Sequence, residues 1–169
     1  MQSSEDTQSN ATLLAELAQA LVARNLMLVT IESCTGGGVA HCVTTQAGSS
    51  NWFDRGWVTY SDAAKSDLVN VDPILIHTHG AVSEPVARAM VRGALKQLPE
   101  NRIAVSITGI AGPDGGSVDK PVGTVYFAWA TGTFERVEHA VLSGDREAIR
   151  EQSITRALAG VLHMARDID

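Results

Sequence analysis

Residues 26–38 read LMLVTIESCTGGG: an apolar run over 26–31, a serine and a cysteine, then three consecutive glycines. The run predicts a buried strand, and the helical spacing of residues 36–45 means that the chain passes from that strand into a helix through the glycines. A buried strand needs covering layers. On its N-terminal side Leu13, Leu14, Leu17, Leu21 and Val22 recur at helical spacing and predict a helix that stops near Asn25. On its C-terminal side the cluster Gly48, Ser49, Ser50 predicts a turn, followed by a strand around residues 56–60 and a short helix capped by Ser61 or Asp62. Glu84 and Pro85 suit the first turn of a helix running to about Leu98, and residues 103–108 form a second continuous apolar strand. Residues 122–130 and 134–142, joined through Gly132, read as an antiparallel hairpin, after which Gly144 and Asp145 start a closing helix carrying Ile149, Ile154, Leu158, Val161 and Leu162. The pattern predicts an α/β fold: a three-layer α/β/α sandwich with a mixed sheet of about five strands and a C-terminal antiparallel hairpin. Residues 11–169 are expected to form a single domain, and the polar residues 1–10 a disordered tail.

Thirteen basic against 19 acidic side chains give a formal net charge of -6, so composition supplies no broad electropositive surface for nucleic acid. An anionic substrate has to be held locally. Cys34 and Cys42 fit reduced thiols in a cytoplasmic protein. No basic segment leads into an apolar one at the N-terminus and no apolar run approaches ~20 residues, so neither an export signal nor a membrane span is expected.

Ser33 stands at the end of a buried strand beside glycine amides, which is how many acyl-transfer enzymes present a nucleophile. Taken alone, a serine before a helix is more often a cap. The glycines weigh against that: three in a row cost roughly 0.5 to 1 kcal/mol each relative to alanine, so a ligand or a second backbone must gain from the missing side chains. Nothing marks a histidine as partner base. His41 lies in the following helix, and His77 and His79 read as solvated loop residues whose H-x-H spacing lacks a third metal ligand. Of the lysines, Lys96 complements a helix C-terminus, whereas Lys65 falls in a first turn, where the helix dipole opposes it. A lysine with an ordinary pKa is neutral about 0.04% of the time at pH 7, a handicap of roughly 4.6 kcal/mol for a base, and burial reduces it. The placement that is wrong for a structural lysine is right for a catalytic one. Tyr60 reads equally as a proton relay and as an amphipathic strand-end residue.

Residues 108–123, TGIAGPDGGSVDKPVG, exceed the usual connection of about 4 to 6 residues and read equally as a phosphate or oxyanion cradle and as a mobile loop. They do not make a Walker loop. Arg146 and Arg150 open the last helix on one face, either toward an anion or paired with Asp145, Glu147 and Glu151. Cys34 is a rival nucleophile, since a neighbouring helix N-terminus is expected to lower its pKa.

In order along the chain, ESCTGG at 32–37, AGSS at 47–50, VTYSDAAK at 58–65, HGAVSEPVA at 79–87, ITGIAGPDGGSVDKPVGTVYF at 107–127 and GDRE at 144–147 resemble the CinA C-terminal domain family. The resemblance runs from about Leu14 to the last helix. It departs at Ile31, where alanine is frequent, and at Asp62, where asparagine is usual. With no room for the nucleotide-binding N-terminal domain of longer members, the chain looks like the stand-alone form. What the resemblance implies is hydrolysis of the carboxamide of nicotinamide mononucleotide to nicotinate mononucleotide and ammonia in pyridine nucleotide salvage. It further implies no metal or organic cofactor, a homodimer or higher homo-oligomer, and Ser33, Lys65 and Tyr60 as catalytic residues. Candidates for holding the substrate and its oxyanion are Cys34, Thr35, Gly36 and Gly37 together with Thr108, Gly109, Ala111, Gly112, Arg146 and Arg150. The alternatives are a non-catalytic nucleotide-binding or regulatory module of the same fold and a hydrolase dependent on Cys34.

Overall fold

The structure is a computed structural model that describes residues 4–168. Its elements are α1 (Ser4–Ala23), β1 (Met27–Glu32), α2 (Gly38–Thr44), a 3-10 turn (Ser49–Asn51), β2 (Phe53–Val58), α3 (Asp62–Val69), α4 (Pro73–His79), α5 (Glu84–Leu95), β3 (Arg102–Gly109), β4 (Thr124–Ala130), β5 (Glu135–Val141) and α6 (Arg146–Asp167). The five strands form one mixed sheet in the order β2-β1-β3-β4-β5. β1 is parallel to both its neighbours, and β3, β4 and β5 are successively antiparallel.

Alternation along the central strands divides the core into two layers. Leu28, Ile103, Val105, Ile107, Val125, Phe127 and Trp129 pack with α1, α2 and α6, while Val29, Ile31, Ala104 and Ala128 pack with α3, α4 and α5. This is the expected α/β/α sandwich. The second layer is built from smaller strand residues, so α5 lies close to the sheet, and the Ser106 hydroxyl donates to the carbonyl of Ala87 at 2.8 Å. Among the described residues no helix is long and apolar enough to cross a membrane.

Several boundaries differ from those read off the sequence, each for a local reason. The first helix extends back to Ser4, into the polar residues expected as a tail, because polar residues lack the apolar spacing that marks a helix; residues 1–3 lie outside the described residues. β2 begins at Phe53, not near Gly56. Its charged residues hid it: at the sheet edge Asp54 is matched by Arg102, at 2.6 Å, and by Arg55, at 3.3 Å. His77 and His79 lie in the last turn of α4 instead of a loop. The Asp72 carboxylate caps that helix by accepting from the Ile74 amide at 2.8 Å, and Pro73 fills its first turn, but seven residues are too few to show a period. α5 closes at Leu95, and β4 starts at Thr124 instead of Val122.

Because β1, β2 and β3 are parallel, their C-terminal ends share one edge of the sheet. The chain leaves β1 to one side for β2 and later returns to the other side for β3, so that edge holds a topological switch point, where open α/β sheets bind ligands.

Candidate active site

At that edge, the connections that follow three strands meet. Ser33 follows β1, Thr59 and Tyr60 follow β2, and residues 110–123 follow β3. The Ser61 hydroxyl caps α3 by accepting from the Ala64 amide at 3.0 Å, and this aims the helix so that Lys65 points back under the strand ends. Lys65 is 1% exposed. Its Nζ donates to Ser33 Oγ at 3.2 Å, to the Thr59 carbonyl at 2.9 Å and to the Tyr60 carbonyl at 3.3 Å. Ser33 Oγ in turn lies 3.5 Å from the Tyr60 carbonyl.

These contacts suit either protonation state. An ammonium has three N–H groups, one for each acceptor. A neutral amine keeps two N–H groups on the two carbonyls, and its lone pair is then directed at the Ser33 hydroxyl. Burial holds the Lys65 pKa below the usual lysine range by penalising the charged form, against the nearby Asp62 carboxylate, which favours it. The carbonyls fix where the lone pair of the neutral form points, and burial favours that form.

Tyr60 is placed differently from its sequence reading. What reaches Ser33 and Lys65 is its backbone carbonyl; the side chain is 60% exposed and its hydroxyl accepts from Arg146 Nη2 at 3.4 Å. Arg146 Nη1 donates to the Gly112 carbonyl at 2.6 Å, so this one guanidinium joins the β2 end to the loop after β3. Arg150 is committed elsewhere: it donates to the carbonyls of Cys34, at 3.2 Å, and Thr35, at 2.9 Å, pinning the turn that carries Ser33. Thr108 and Gly109 belong to β3, paired with Tyr126 and Val125, not to the loop. The Thr108 hydroxyl is spent on the Ala81 carbonyl, at 2.8 Å, and a Cβ at Gly109 would meet the Thr124 carbonyl at 2.9 Å. Strand packing therefore accounts for that glycine.

A residue missing from the sequence reading organises the turn. Glu32, 1% exposed, accepts from the amides of Gly37 at 3.1 Å, Val39 at 3.0 Å and Ala40 at 2.9 Å. Gly36 and Gly37 have φ of 59° and 93°, the left-handed backbone that lets the chain double back to the carboxylate. Gly36 and Gly38 donate to Ser33 and Thr35 carbonyls, both at 3.0 Å. All three glycine amides are thus spent inside the protein. The signal for Glu32 was an acidic residue closing an apolar strand just ahead of a helix.

Cys34 departs from its expected chemistry. Burial pushes its thiol up to about 11, with a smaller rise from the Glu32 carboxylate, against the lowering by its own backbone amide and by the charges of Arg150 and Lys65. The expected lowering by a helix N-terminus does not operate, because α2 starts at Gly38 and Glu32 already holds its first amides. Cys34 is a buried neutral thiol. A cavity of about 870 Å³ between α2 and α6 is lined by His41, Cys42, Arg150 and Ile154, apart from Ser33 and Lys65. Among the described residues no group of three or more His, Cys, Asp or Glu side chains converges as a metal site.

The CinA C-terminal domain family model matches residues 10–165. Nicotinamide-nucleotide amidohydrolase PncC of Escherichia coli strain K12 is 52% identical over 147 residues, covering 86% of this chain and 88% of that protein. The protein of the same name from Pseudomonas putida is 47% identical over 153 residues, covering 90% and 95%. Among solved structures, competence damage-inducible protein A (ComA) from Klebsiella pneumoniae superposes with a TM-score of 0.89 at 35% identity, over 95% of this chain and 99% of that one. Competence/damage inducible protein CihA from Agrobacterium tumefaciens superposes with a TM-score of 0.80 at 39% identity, over 90% and 95%.

Proposed function

The chain belongs to the CinA C-terminal domain family, and from that premise we propose that it is a nicotinamide-nucleotide amidohydrolase, hydrolysing the carboxamide of nicotinamide mononucleotide to nicotinate mononucleotide and ammonia with Ser33 as nucleophile. The observation that carries the site is the buried Lys65 Nζ at 3.2 Å from Ser33 Oγ, oriented by two backbone carbonyls.

Neutral Lys65 takes the Ser33 proton as Oγ attacks the amide carbon. The C=O bond opens to an oxyanion, for which we assign backbone amides at the strand ends, from the turn after Ser33 or the loop after β3; one such donor is typically worth about 2.7 to 4 kcal/mol. The Lys65 ammonium then returns its proton to the departing nitrogen, the C–N bond breaks and ammonia leaves an ester on Ser33. Water attacks that ester, Lys65 takes the water's proton, Ser33 Oγ is reprotonated, and nicotinate mononucleotide is released. Arg146 and the amides of Ala111 and Gly112 are the groups we assign to the ribose phosphate, local positive charge in an acidic protein. Tyr60 acts through its carbonyl on the lysine and through its exposed ring at the mouth of the site. Arg150 contributes by holding the carbonyls of Cys34 and Thr35.

We take residues 11–169 as one amidohydrolase domain that acts in the cytoplasm on a small nucleotide, without nucleic acid, as a homodimer or higher homo-oligomer; sedimentation of the purified protein reads the assembly. Incubation with nicotinamide mononucleotide tests the function: ammonia and nicotinate mononucleotide are expected in equal amounts, and nicotinamide riboside, which lacks the phosphate, is expected to show a higher KM. Nucleotide binding without ammonia release would replace this reading with a non-catalytic binding module of the same fold.

A further inference from the structure

We propose that Glu32 is a positioning residue for the Ser33 nucleophile, its buried carboxylate closing residues 33–36 into a ring by accepting from the amides of Gly37, Val39 and Ala40. The inference rests on the reading of Ser33 as the amidohydrolase nucleophile. Three observations carry it.

First, the ring is short: the Gly37 amide is five residues from the carboxylate it meets, and Ser33 is the residue next to Glu32. Any movement of that carboxylate is felt at Ser33 within one peptide unit. Second, Glu32 grips the other half of the site through its backbone. Its carbonyl accepts from the Thr59 amide at 2.7 Å and from the Thr59 hydroxyl at 3.3 Å, and the Thr59 carbonyl is the shortest acceptor of Lys65 Nζ, at 2.9 Å. One residue therefore sets both ends of the serine–lysine contact, the nucleophile through its side chain and the base through its main chain. Third, among the described residues no arginine or lysine pairs with this buried carboxylate; backbone amides compensate its charge. A hydrophobic residue of similar size would leave those amides unpaired, and glutamine would turn an N–H group toward one of them.

The site needs this because the contact at stake is narrow. Lys65 is held by fixed carbonyls, so it cannot follow a serine that drifts, and a misplacement of about 1 Å at a reacting group can lower a rate on the order of 100-fold. Glu32 touches neither substrate nor reacting atoms in this scheme; its effect passes through the turn.

The test compares wild type, Glu32→Gln and Glu32→Ala in ammonia release from nicotinamide mononucleotide, with circular dichroism and thermal melting to show that each is folded. For folded Glu32→Gln we expect kcat to fall on the order of 100-fold with KM close to the wild-type value; partial unfolding would give the same split, so the melting curves and the formate rescue below separate the two. In Glu32→Ala, formate can fill the space the carboxylate leaves, and turnover is expected to rise with formate concentration, with no such rise in Ser33→Ala. If Glu32→Gln does not accumulate as folded protein, Glu32→Ala purified in formate decides: turnover that follows formate supports the proposal, and a folded variant indifferent to it overturns it. An active wild type matched by Glu32→Gln in kcat overturns the proposal alone. A wild type that releases no ammonia overturns the amidohydrolase reading, and this proposal with it.

Discussion

Two glycine-rich connections leave neighbouring parallel strands at the same sheet edge, and they differ in what holds their amides. The turn after β1 closes on an anion as well as a cation: Glu32 takes the amides of Gly37, Val39 and Ala40, the glycine amides face inward, and Arg150 holds the carbonyls of Cys34 and Thr35. The loop after β3 is held by cations on its own and neighbouring carbonyls. Arg146 donates to the Gly112 carbonyl at 2.6 Å, and Lys120 reaches the carbonyls of His79, at 3.1 Å, and Val82, at 2.7 Å. A carboxylate consumes N–H groups and a cation consumes C=O groups, so the first connection is a rigid mount and the second keeps the amides of Ala111 and Gly112 outside the bonds that hold it. Glycine content alone does not tell the two connections apart; the carboxylate that takes up the amides of the first does.

Under the proposed function chemistry belongs to the first connection and substrate holding to the second, and mutations should separate them. The largest effect is expected on the mount: Ser33→Ala and Lys65→Met should each lower kcat by about 10⁴-fold or more, and the double variant should lose little beyond either alone, as for groups that act as a unit. Next, Arg146→Ala should raise KM for nicotinamide mononucleotide on the order of 10- to 100-fold, the range of a charged hydrogen bond, with a smaller change in kcat. If Arg146→Ala instead lowered kcat at unchanged KM, the division of labour between the two connections would be wrong. Lys120→Ala should act in the same direction and more weakly, a few-fold in KM, since it holds the loop without facing the strand ends.

The pH dependence sharpens the same comparison. In the proposed mechanism Lys65 is a base in its neutral form, so kcat should rise as pH passes upward through its pKa; burial lowers that pKa, which places the rising limb below pH 10.5. Lys65→Met should abolish the limb, whereas Arg146→Ala should leave it in place. For stability the sign is the same. The unfolded state binds more protons at Lys65 between the depressed folded pKa and the ordinary one, so this residue's contribution to stability increases with pH across that window. The smallest effect concerns Cys34. With its thiol pushed up to about 11, iodoacetamide at neutral pH should leave turnover nearly unchanged, and rapid inactivation blocked by Cys34→Ala would move the nucleophile one position along the chain.

Much of this was legible in the sequence where a local signal carried it. The strand over 26–31, the hairpin around Gly132 and the amphipathic run of α6 all announce themselves by period and turn chemistry, and they suffice for an α/β/α sandwich. The wrong dipole position of Lys65 pointed to the buried lysine that lies 3.2 Å from Ser33 Oγ. What stayed hidden depended on partners distant in sequence. Tyr60 contributes a carbonyl, which no side-chain identity reveals. Arg150 looks like an anion ligand until its contacts with the Cys34 and Thr35 carbonyls are seen. Thr108 and Gly109 look like a cradle until β4 claims them. Glu32 stays hidden because an acidic residue at the end of a strand has no fixed meaning until the chain turns back on it.

The most direct test is ammonia release from nicotinamide mononucleotide, with no added metal, by the wild type, Ser33→Ala and Cys34→Ala in parallel. The account predicts turnover by wild type and Cys34→Ala and none by Ser33→Ala. Turnover that survives in Ser33→Ala would contradict it.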